Sequence, residues 1–217
     1  MTSGSRLALT AVHGLYGITP DEADTEVLSR KVSQAIAGGA KLVQYRNKMA
    51  SPELRLIQAK ALLGLCRSQG VPLIVNDHLD LALAIDADGV HLGGEDGDVA
   101  GARRALGENR LLGASCYNRF ELAVAAREAG ADHVAFGAAF ASPTKPGAVS
   151  APHALYARAR SELGVPVVAI GGITADNAAQ VVGAGASAVA VITDVFSADD
   201  IEAAARRYSA LFDTVPT

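Results

Sequence analysis

The sequence is poor in cysteine, has no long apolar run and carries no excess of positive charge, and each absence excludes a class of protein. Its two cysteines, Cys66 and Cys116, lie in unrelated contexts, so neither a disulfide framework nor a cysteine-based metal site is expected. No apolar stretch approaches the roughly 20 residues that a membrane-spanning helix needs. Residues 1–14 contain one arginine and too short an apolar core for a secretory signal, so we expect a cytoplasmic protein without a membrane partner.

The charge of the chain also argues against a polyanionic partner. The formal net charge is −4, so the surface as a whole does not attract nucleic acid or anionic lipid. An anionic ligand must therefore be held by a local group of side chains. The rest of the composition, 50% hydrophobic and 19% charged over 217 residues, is typical of a single well-buried α/β domain and not of a disordered chain.

Short apolar strands alternate with helical segments along the whole chain. The predicted helices include 25–37, 52–68 with Ser51 as its cap and Pro52 at its first position, 119–129 with Asn118 as its cap, and 151–163. Counted in this way there are about eight βα units, without a linker or a low-complexity segment. The pattern predicts an α/β fold, a single (β/α)8 TIM barrel over 1–217 in which residues 1–13 form a lead-in segment. A doubly wound sheet is the alternative, but it would usually carry a glycine-rich fingerprint after the first strand, and none is present there.

The segment 166–194 is the clearest candidate for a binding site. Two apolar strands, Val167–Ile170 and 188–192, end at Gly171-Gly172 and at Thr193-Asp194. We expect Thr174 to cap a helix over 175–182, so that free backbone N–H groups face the end of the strand and form an anion site. The position of these units, last in the series, matches the phosphate site of many (β/α)8 barrels. The alternative is that Gly171 and Gly172 serve only tight turns and bind no anion.

A second candidate site follows the second predicted strand. Gln44, Arg46 and Lys48 alternate with Tyr45 and Asn47. On an extended backbone the two cations and the amide therefore share one face. Such a face suits a multiply charged anion such as diphosphate. The alternative is that these are ordinary solvated surface charges.

Two carboxylates are predicted to leave adjacent strands. Asp77 and Asp96 would repel each other unless a shared Mg²⁺ bridges them, since this ion accepts carboxylate and phosphate oxygens. The alternative is that one of them caps the next helix, as Asp77 would for 78–85. Lys145 lies in a loop that Pro143 and Pro146 restrict. It is expected to bring a further positive charge over the mouth of the barrel, where the carboxyl ends of the strands converge.

The histidines offer no sign of metal binding or of nucleophilic catalysis. The five of them show no ligand spacing, and no Ser/His/Asp set or reactive cysteine pattern is evident. His91 lies in a predicted strand, where we expect it to satisfy a local hydrogen bond.

Taken together, these segments resemble the thiamine phosphate synthase family. The resemblance spans nearly the whole chain and is carried, in the family's order, by LYGIT, VQYRNK, LIVNDHLDLALAIDADGVHLGGED, GASCYN, FASPTKPGA and VVAIGGITADNAAQVVGAGASAVAVI. It implies a TIM-barrel transferase of thiamine biosynthesis with Mg²⁺ as cofactor. Its small-molecule substrates would be a hydroxymethylpyrimidine diphosphate and a thiazole phosphate, joined with release of diphosphate.

The resemblance also implies a role for each matching residue. The pyrimidine diphosphate would be bound by Gln44, Tyr45, Arg46, Asn47, Lys48, Asn76, Ser115 and Lys145. The thiazole phosphate would be bound by Ser142, Pro143, Thr144, Gly172, Ile192 and Thr193. Asp77 and Asp96 match the magnesium ligands, and the catalytic groups would be Arg46, Lys48, Lys145 and Ser115.

Four positions depart from the commoner family pattern, namely Gly94, Tyr117, Ser142 and Thr193.

Two other functions stay open. One is the thiazole tautomerase branch of the same barrel group, whose acid/base histidine would fall near Tyr117; the other is a non-catalytic sensor of a phosphorylated ligand. The sequence also leaves open whether the chain is a monomer or a homodimer, which form of the thiazole phosphate it prefers, and whether 140–148 closes over substrate.

Overall fold

Eight parallel strands form a closed barrel in sequence order. The computed structural model describes residues 12–93, 97–141 and 150–213. Tyr16 on the first strand pairs with Leu42 on the second and with Ala190 on the eighth, which closes the ring. The predicted (β/α)8 barrel is therefore confirmed. The strands are β1 (Gly14–Ile18), β2 (Leu42–Tyr45), β3 (Leu73–Asn76), β4 (Gly89–Leu92), β5 (Leu111–Tyr117), β6 (His133–Phe136), β7 (Val167–Ile170) and β8 (Ala188–Val191).

Helices follow the strands and cover the outside of the barrel. Several of them begin at side-chain caps; for example, Asp24 Oδ1 accepts hydrogen bonds from the N–H groups of Glu26 and Val27, and Ser51 Oγ accepts one from Leu54 N–H. The helices described are α1 (Thr25–Ala37), α2 (Pro52–Ser68), α3 (Leu79–Ala84), α4 (Val99–Leu106), α5 (Phe120–Glu128), α6 (Ala154–Leu163), α7 (Ala178–Gly183), α8 (Thr193–Phe196) and α9 (Ile201–Asp213). Within the described ranges, none is long and apolar enough to cross a membrane.

Some predicted helix starts were wrong. Asn118 does not cap α5, which begins at Phe120 after Arg119 without a side-chain cap. The reason is a tight turn, in which Tyr117 has a left-handed φ of 52° and Arg119 N–H donates to Cys116 O. The helix expected from residue 151 begins at Ala154 instead, because Ala151 is buried and its N–H is bonded to Ala138 O.

The alternation of side chains along each strand creates two cores. Residues that point outward pack against the helices, as Leu15, Val43 and Val75 do. Those that point inward fill the barrel, and most of them are apolar. The inner apolar set is Tyr16, Ile18, Leu42, Ile74, Leu111, Ala135, Val168, Ala188 and Ala190, with Val12 packed below them.

Candidate active site

The inner face of the barrel is polar on one side at the carboxyl ends of the strands and apolar on the other. Strands β2 to β5 place Gln44, Asn76, His91 and Ser115 at this level, whereas β6 to β8 and the residue after β8 place Ala135, Ile170, Ala190 and Ile192 there. Gln44 Nε2 donates to the Tyr16 hydroxyl at 2.8 Å, which fixes the amide inside the barrel. The mouth is therefore divided into a half that can hydrogen-bond and a half that can only pack.

The segment after β2 is anchored to the loop that follows β1. Thr19 Oγ1 accepts a hydrogen bond from Arg46 N–H at 2.8 Å and donates one to Arg46 O at 2.9 Å. Lys48 N–H donates to Asp21 Oδ1 at 2.7 Å, and the Arg46 guanidinium lies 3.8 Å from the same carboxylate oxygen. These contacts hold the predicted diphosphate-binding side chains, Arg46 and Lys48, at the rim of the barrel.

Tyr45 and Asn47, the alternating residues of this segment, bond to helix α2. The Tyr45 hydroxyl donates to Gln58 Oε1 at 2.9 Å, and Asn47 Nδ2 donates to the same oxygen at 3.0 Å and to Glu22 O at 2.7 Å. Both residues are buried. Their polar side-chain atoms thus support the segment from behind, and their predicted contact with substrate stays a prediction.

A small, open cleft lies beside this segment, between the ends of β2 and β3. It contains a cation that the sequence analysis missed, Arg55 in the first turns of α2. Arg55 Nη2 donates to Ala50 O at 3.0 Å, while its Nε is buried without a partner in the described structure. The predicted ligand groups all lie at strand ends or in the loops that follow them; the signal for Arg55 is a helix start directly after a cationic strand end. The lining residues are Tyr45, Arg46, Asn47, Lys48, Arg55, Asn76, Asp77 and His78.

Asp77 holds its carboxylate at the edge of this cleft. Its φ of 61° is in the left-handed region, which residues with a side chain adopt uncommonly, although aspartate does so more readily than most. Asn76 Nδ2 donates to Oδ2 at 2.6 Å and Gly93 N–H donates to Oδ1 at 3.1 Å. The side chain does not cap α3, whose N-cap is His78, so the helix-cap alternative is wrong for Asp77.

Several predicted site residues lie outside the described ranges. They are the second carboxylate and the loop residues, namely Asp96, Ser142, Pro143, Thr144 and Lys145, together with the variant position Gly94. Their predicted roles stay predictions. In the portions that the structure describes, no three His, Cys, Asp or Glu side chains form a metal-binding group.

His91 forms the local hydrogen bond that its strand position predicts. Its Nε2 lies 2.9 Å from Ser115 Oγ on the neighbouring strand β5. Burial lowers the pKa of His91 to about 4, against the opposing attraction of Asp77, and lowers the pKa of His133 on β6 to about 3. Both imidazoles are therefore neutral at neutral pH, and neither adds positive charge to the mouth.

The predicted phosphate site occupies the ends of two neighbouring strands. Gly172, with a φ of 66°, follows β7, while Ile192 and Thr193 follow β8. A Cβ on Gly172 would lie 2.5 Å from Phe140 O, so only glycine allows this close approach of the chain to residue 140.

The helix start expected at this site was wrong. Helix α7 begins at Ala178, and Thr174 does not cap it; instead Thr174 N–H donates to Asn177 Oδ1 at 2.9 Å. The N–H of Ala175, which was expected to be free for an anion, donates to Asp194 Oδ2 at 3.1 Å. The N–H of Ala175 is therefore not available to an anion, and the predicted phosphate contacts of Gly172 and Thr193 stay predictions.

Comparison with known proteins places the chain among close relatives. It matches the family model described as "Thiamine monophosphate synthase" over residues 15–195. It is 59% identical over 204 residues to a thiamine-phosphate synthase from Aromatoleum aromaticum, covering 94% of this chain and 98% of that one. A second, from Methylobacillus flagellatus, is 56% identical over 209 residues, with coverages of 96% and 100%.

Solved structures agree with these sequence matches. A thiamine phosphate pyrophosphorylase from Pyrococcus furiosus superposes with a TM-score of 0.83 at 35% identity, covering 94% of this chain and 98% of that one. A 3-hexulose-6-phosphate synthase, at 19% identity and a TM-score of 0.70, covers 91% of this chain and 99% of its own and shares the fold alone.

Proposed function

Because this chain belongs to the thiamine monophosphate synthase family, we propose that it joins 4-amino-2-methyl-5-hydroxymethylpyrimidine diphosphate to a 4-methyl-5-(2-hydroxyethyl)thiazole phosphate. The products would be thiamine phosphate and diphosphate. The chain is an enzyme with thiamine-phosphate synthase activity. A thiazole tautomerase and a non-catalytic sensor are not favoured, because relatives at 56% and 59% identity are synthases by name.

The observation that carries this proposal is the positive charge of the cleft at the ends of β2 and β3. Arg46, Lys48 and Arg55 line it together with one carboxylate, that of Asp77. Charged groups fixed in advance around a leaving group stabilise the charge that develops on it without having to reorganise. The three cations would therefore bind the diphosphate and stabilise its departure. Lys145, whose role stays a prediction, would add a fourth positive charge.

We propose that Asp77 and Asp96 hold Mg²⁺ against the diphosphate. Each carboxylate oxygen of Asp77 accepts one hydrogen bond and keeps a lone pair free, and the side chain is exposed at the mouth, so the residue fits a magnesium ligand. When bound, the ion would neutralise part of the charge of the diphosphate. Asn76 and the N–H of Gly93 orient the carboxylate toward the cleft.

The polar and apolar halves of the mouth support a separate position for each of the two substrates. The ring of the pyrimidine would lie against Gln44, Asn76 and Ser115, whose side chains can bond its nitrogens and amino group. The thiazole would pack on the apolar half formed by Ile170 and Ile192, with its phosphate near Gly172 and Thr193. This arrangement would align the thiazole nitrogen with the pyrimidine methylene carbon.

The chemistry needs no side-chain nucleophile. The bond between the methylene carbon and the diphosphate oxygen breaks, the electron pair leaves with the diphosphate, and the amino group of the pyrimidine stabilises the cation that remains. The thiazole nitrogen then donates its lone pair to form the new carbon–nitrogen bond. The chain's contribution is to neutralise the leaving group, align the nitrogen and exclude water from the cation.

The test is a reconstituted reaction. Purified protein is incubated with both substrates and Mg²⁺, and diphosphate and thiamine phosphate are measured together. Parallel reactions omit each substrate in turn or replace the thiazole phosphate by its carboxylated form, which identifies the preferred substrate. A protein that yields neither product while converting one thiazole isomer into the other would be a tautomerase and would contradict the proposal.

The cytoplasmic location and the choice between monomer and homodimer stay predictions from the sequence. Light scattering of the purified protein decides the second of these.

A further inference from the structure

The last helix, α9, is bonded to the segment that directly follows β8. The hydroxyl of Tyr208 on α9 donates to Asp194 Oδ2 at 2.6 Å. The same oxygen accepts a hydrogen bond from the N–H of Ala175, 3.1 Å away, in the loop after β7. One carboxylate oxygen therefore joins three parts of the chain, namely α9, the first turn of α8 and the loop after β7.

This junction lies next to the predicted phosphate site. Asp194 directly follows Thr193 in the chain, and Ala175 comes three residues after Gly172. Thr193 and Gly172 are predicted to contact the phosphate from β8 and β7, and these two strands are neighbours. The side chain of Asn177 holds the loop after β7 internally, since its Nδ2 donates to Gly172 O at 3.0 Å. Asp194 instead holds this loop to the neighbouring βα unit.

Packing alone does not explain the hydroxyl of Tyr208. The side chain is fully buried, and a phenylalanine at this position would keep the contacts of the ring. Burial raises the pKa of Tyr208, and the hydrogen bond to Asp194 raises it further, so the hydroxyl stays protonated and can donate at neutral pH. A hydrogen bond from a hydroxyl to a carboxylate is about twice as strong as one between neutral groups. The hydroxyl therefore contributes mainly through its hold on Asp194.

The charge of Asp194 is unfavourable for a phosphate bound nearby. Like charges repel, so a carboxylate one residue after Thr193 weakens phosphate binding unless the arrangement that it maintains is worth more. We propose that Tyr208 is a positioning residue which, through Asp194, fixes the loops after β7 and β8 relative to each other and so shapes the site for the phosphate of the thiazole substrate. The inference rests on the proposed function for the identity of that phosphate.

Amide hydrogen exchange tests the link itself, without reference to activity. In ¹⁵N-labelled protein at pH 6.5, we expect the amide of Ala175 to be protected and to exchange about tenfold faster in Tyr208→Phe, the effect of one charge-assisted hydrogen bond. The matched control is Ser209→Ala on the same helix, which removes a hydroxyl that donates to Gly38 O at 2.9 Å. This control should leave the exchange of Ala175 unchanged. Equal exchange rates in the wild type and in Tyr208→Phe would overturn the proposal.

Kinetics test the consequence for the phosphate site. A site that is correctly arranged for only a fraction of the time binds its ligand more weakly by that fraction. We therefore expect Tyr208→Phe to raise KM for the thiazole phosphate by up to about tenfold, with kcat and KM for the pyrimidine diphosphate unchanged. In an Asp194→Ala background, the phenylalanine substitution should have almost no further effect. Asp194→Asn keeps an oxygen that can accept from both donors, and it should stay within about threefold of the wild type.

Two outcomes would overturn the positioning role. If Asp194→Ala lowered KM for the thiazole phosphate, the carboxylate would act only by repelling the phosphate. If Tyr208→Phe raised both KM values equally while lowering the temperature of unfolding, its hydroxyl would serve only overall stability. Failure of the wild-type protein to make thiamine phosphate would contradict the proposed function but would leave the exchange result for Ala175 intact, so the two failures are distinguishable.

Discussion

Replacing His133 by phenylalanine is expected to make the stability of the protein less sensitive to mild acid. Burial, with a smaller contribution from His91, lowers the pKa of His133 from its ordinary value of 6.5 to about 3 in the folded protein. Between these two values the unfolded chain binds a proton at this residue and the folded protein does not. The free energy of unfolding therefore rises with pH across this window and falls as the solution is acidified.

The size of the effect follows from the same two pKa values. From pH 7.5 to pH 5, His133 alone should lower the free energy of unfolding by about 2 kcal/mol, because each unit of pKa difference corresponds to about 1.4 kcal/mol. The carboxylates and His91 also titrate, but they are common to both proteins. Their contributions cancel when the pH-dependent loss in the variant is subtracted from the loss in the wild type.

Urea denaturation at pH 7.5, 6 and 5 measures this difference. We expect the wild type to lose about 2 kcal/mol more than His133→Phe between the two extremes. His13→Gln, which removes an exposed histidine, is the matched control and should behave as the wild type does. Equal losses in the wild type and in His133→Phe would refute the assignment of His133 as a buried neutral imidazole.

Three further substitutions test the site. Arg55→Gln should raise KM for the pyrimidine diphosphate about tenfold, since it removes one charged contact, whereas Arg30→Gln, at an exposed position on α1, should leave steady-state kinetics unchanged. Gly172→Ala should raise KM for the thiazole phosphate, measured in the same assay, because its Cβ would lie 2.5 Å from Phe140 O. Asp77→Ala should lower turnover by orders of magnitude at saturating Mg²⁺ with an unchanged circular dichroism spectrum; a near-normal rate would argue against a metal role.

The sequence predicted the fold well because the signals for it are local. Helices α1 and α2 span the predicted residues, and the second of them begins as expected with Ser51 as its cap and a proline in the first turn. Each strand is a short apolar run bounded by a turn. Since eight such units in series can bury their apolar faces by closing on themselves, a barrel followed from their number.

Where the prediction of a helix start failed, turns and hydrogen bonds that a capping pattern does not reveal decided the local structure. Thr174 has the usual chemistry of a helix cap, but its N–H is held by Asn177, and the neighbouring N–H of Ala175 is bonded to Asp194 at the end of another strand unit. Asn118 failed similarly, because the chain turns sharply at Tyr117 before α5 begins. Capping residues indicate where a helix can start, but tertiary contacts determine where it does.

The site was predictable as far as it lies at strand ends. Gln44, Arg46, Lys48 and Asp77 could be found because residues after parallel strands converge on one mouth. Arg55 was missed, since it comes from the first turns of a helix, and only the position of that helix directly after a cationic strand end pointed to it. The contact of His91 with His133, whose ring centroids are 5.6 Å apart, was also out of reach, because it depends on the register of three strands and on Gly113, a glycine on β5 that admits both rings.

Gly113, the glycine between the two histidine rings, limits which amino-acid substitutions the interior of the barrel can accept. At the level of Gly113, the interior of the barrel is a fixed volume, and the two imidazoles already use the share that β5 leaves empty. Any larger residue at position 113 can be accommodated only if position 91 or 133 becomes smaller at the same time. Positions 91, 113 and 133 should therefore co-vary, and a library that randomises them together should yield folded proteins that single-site libraries miss.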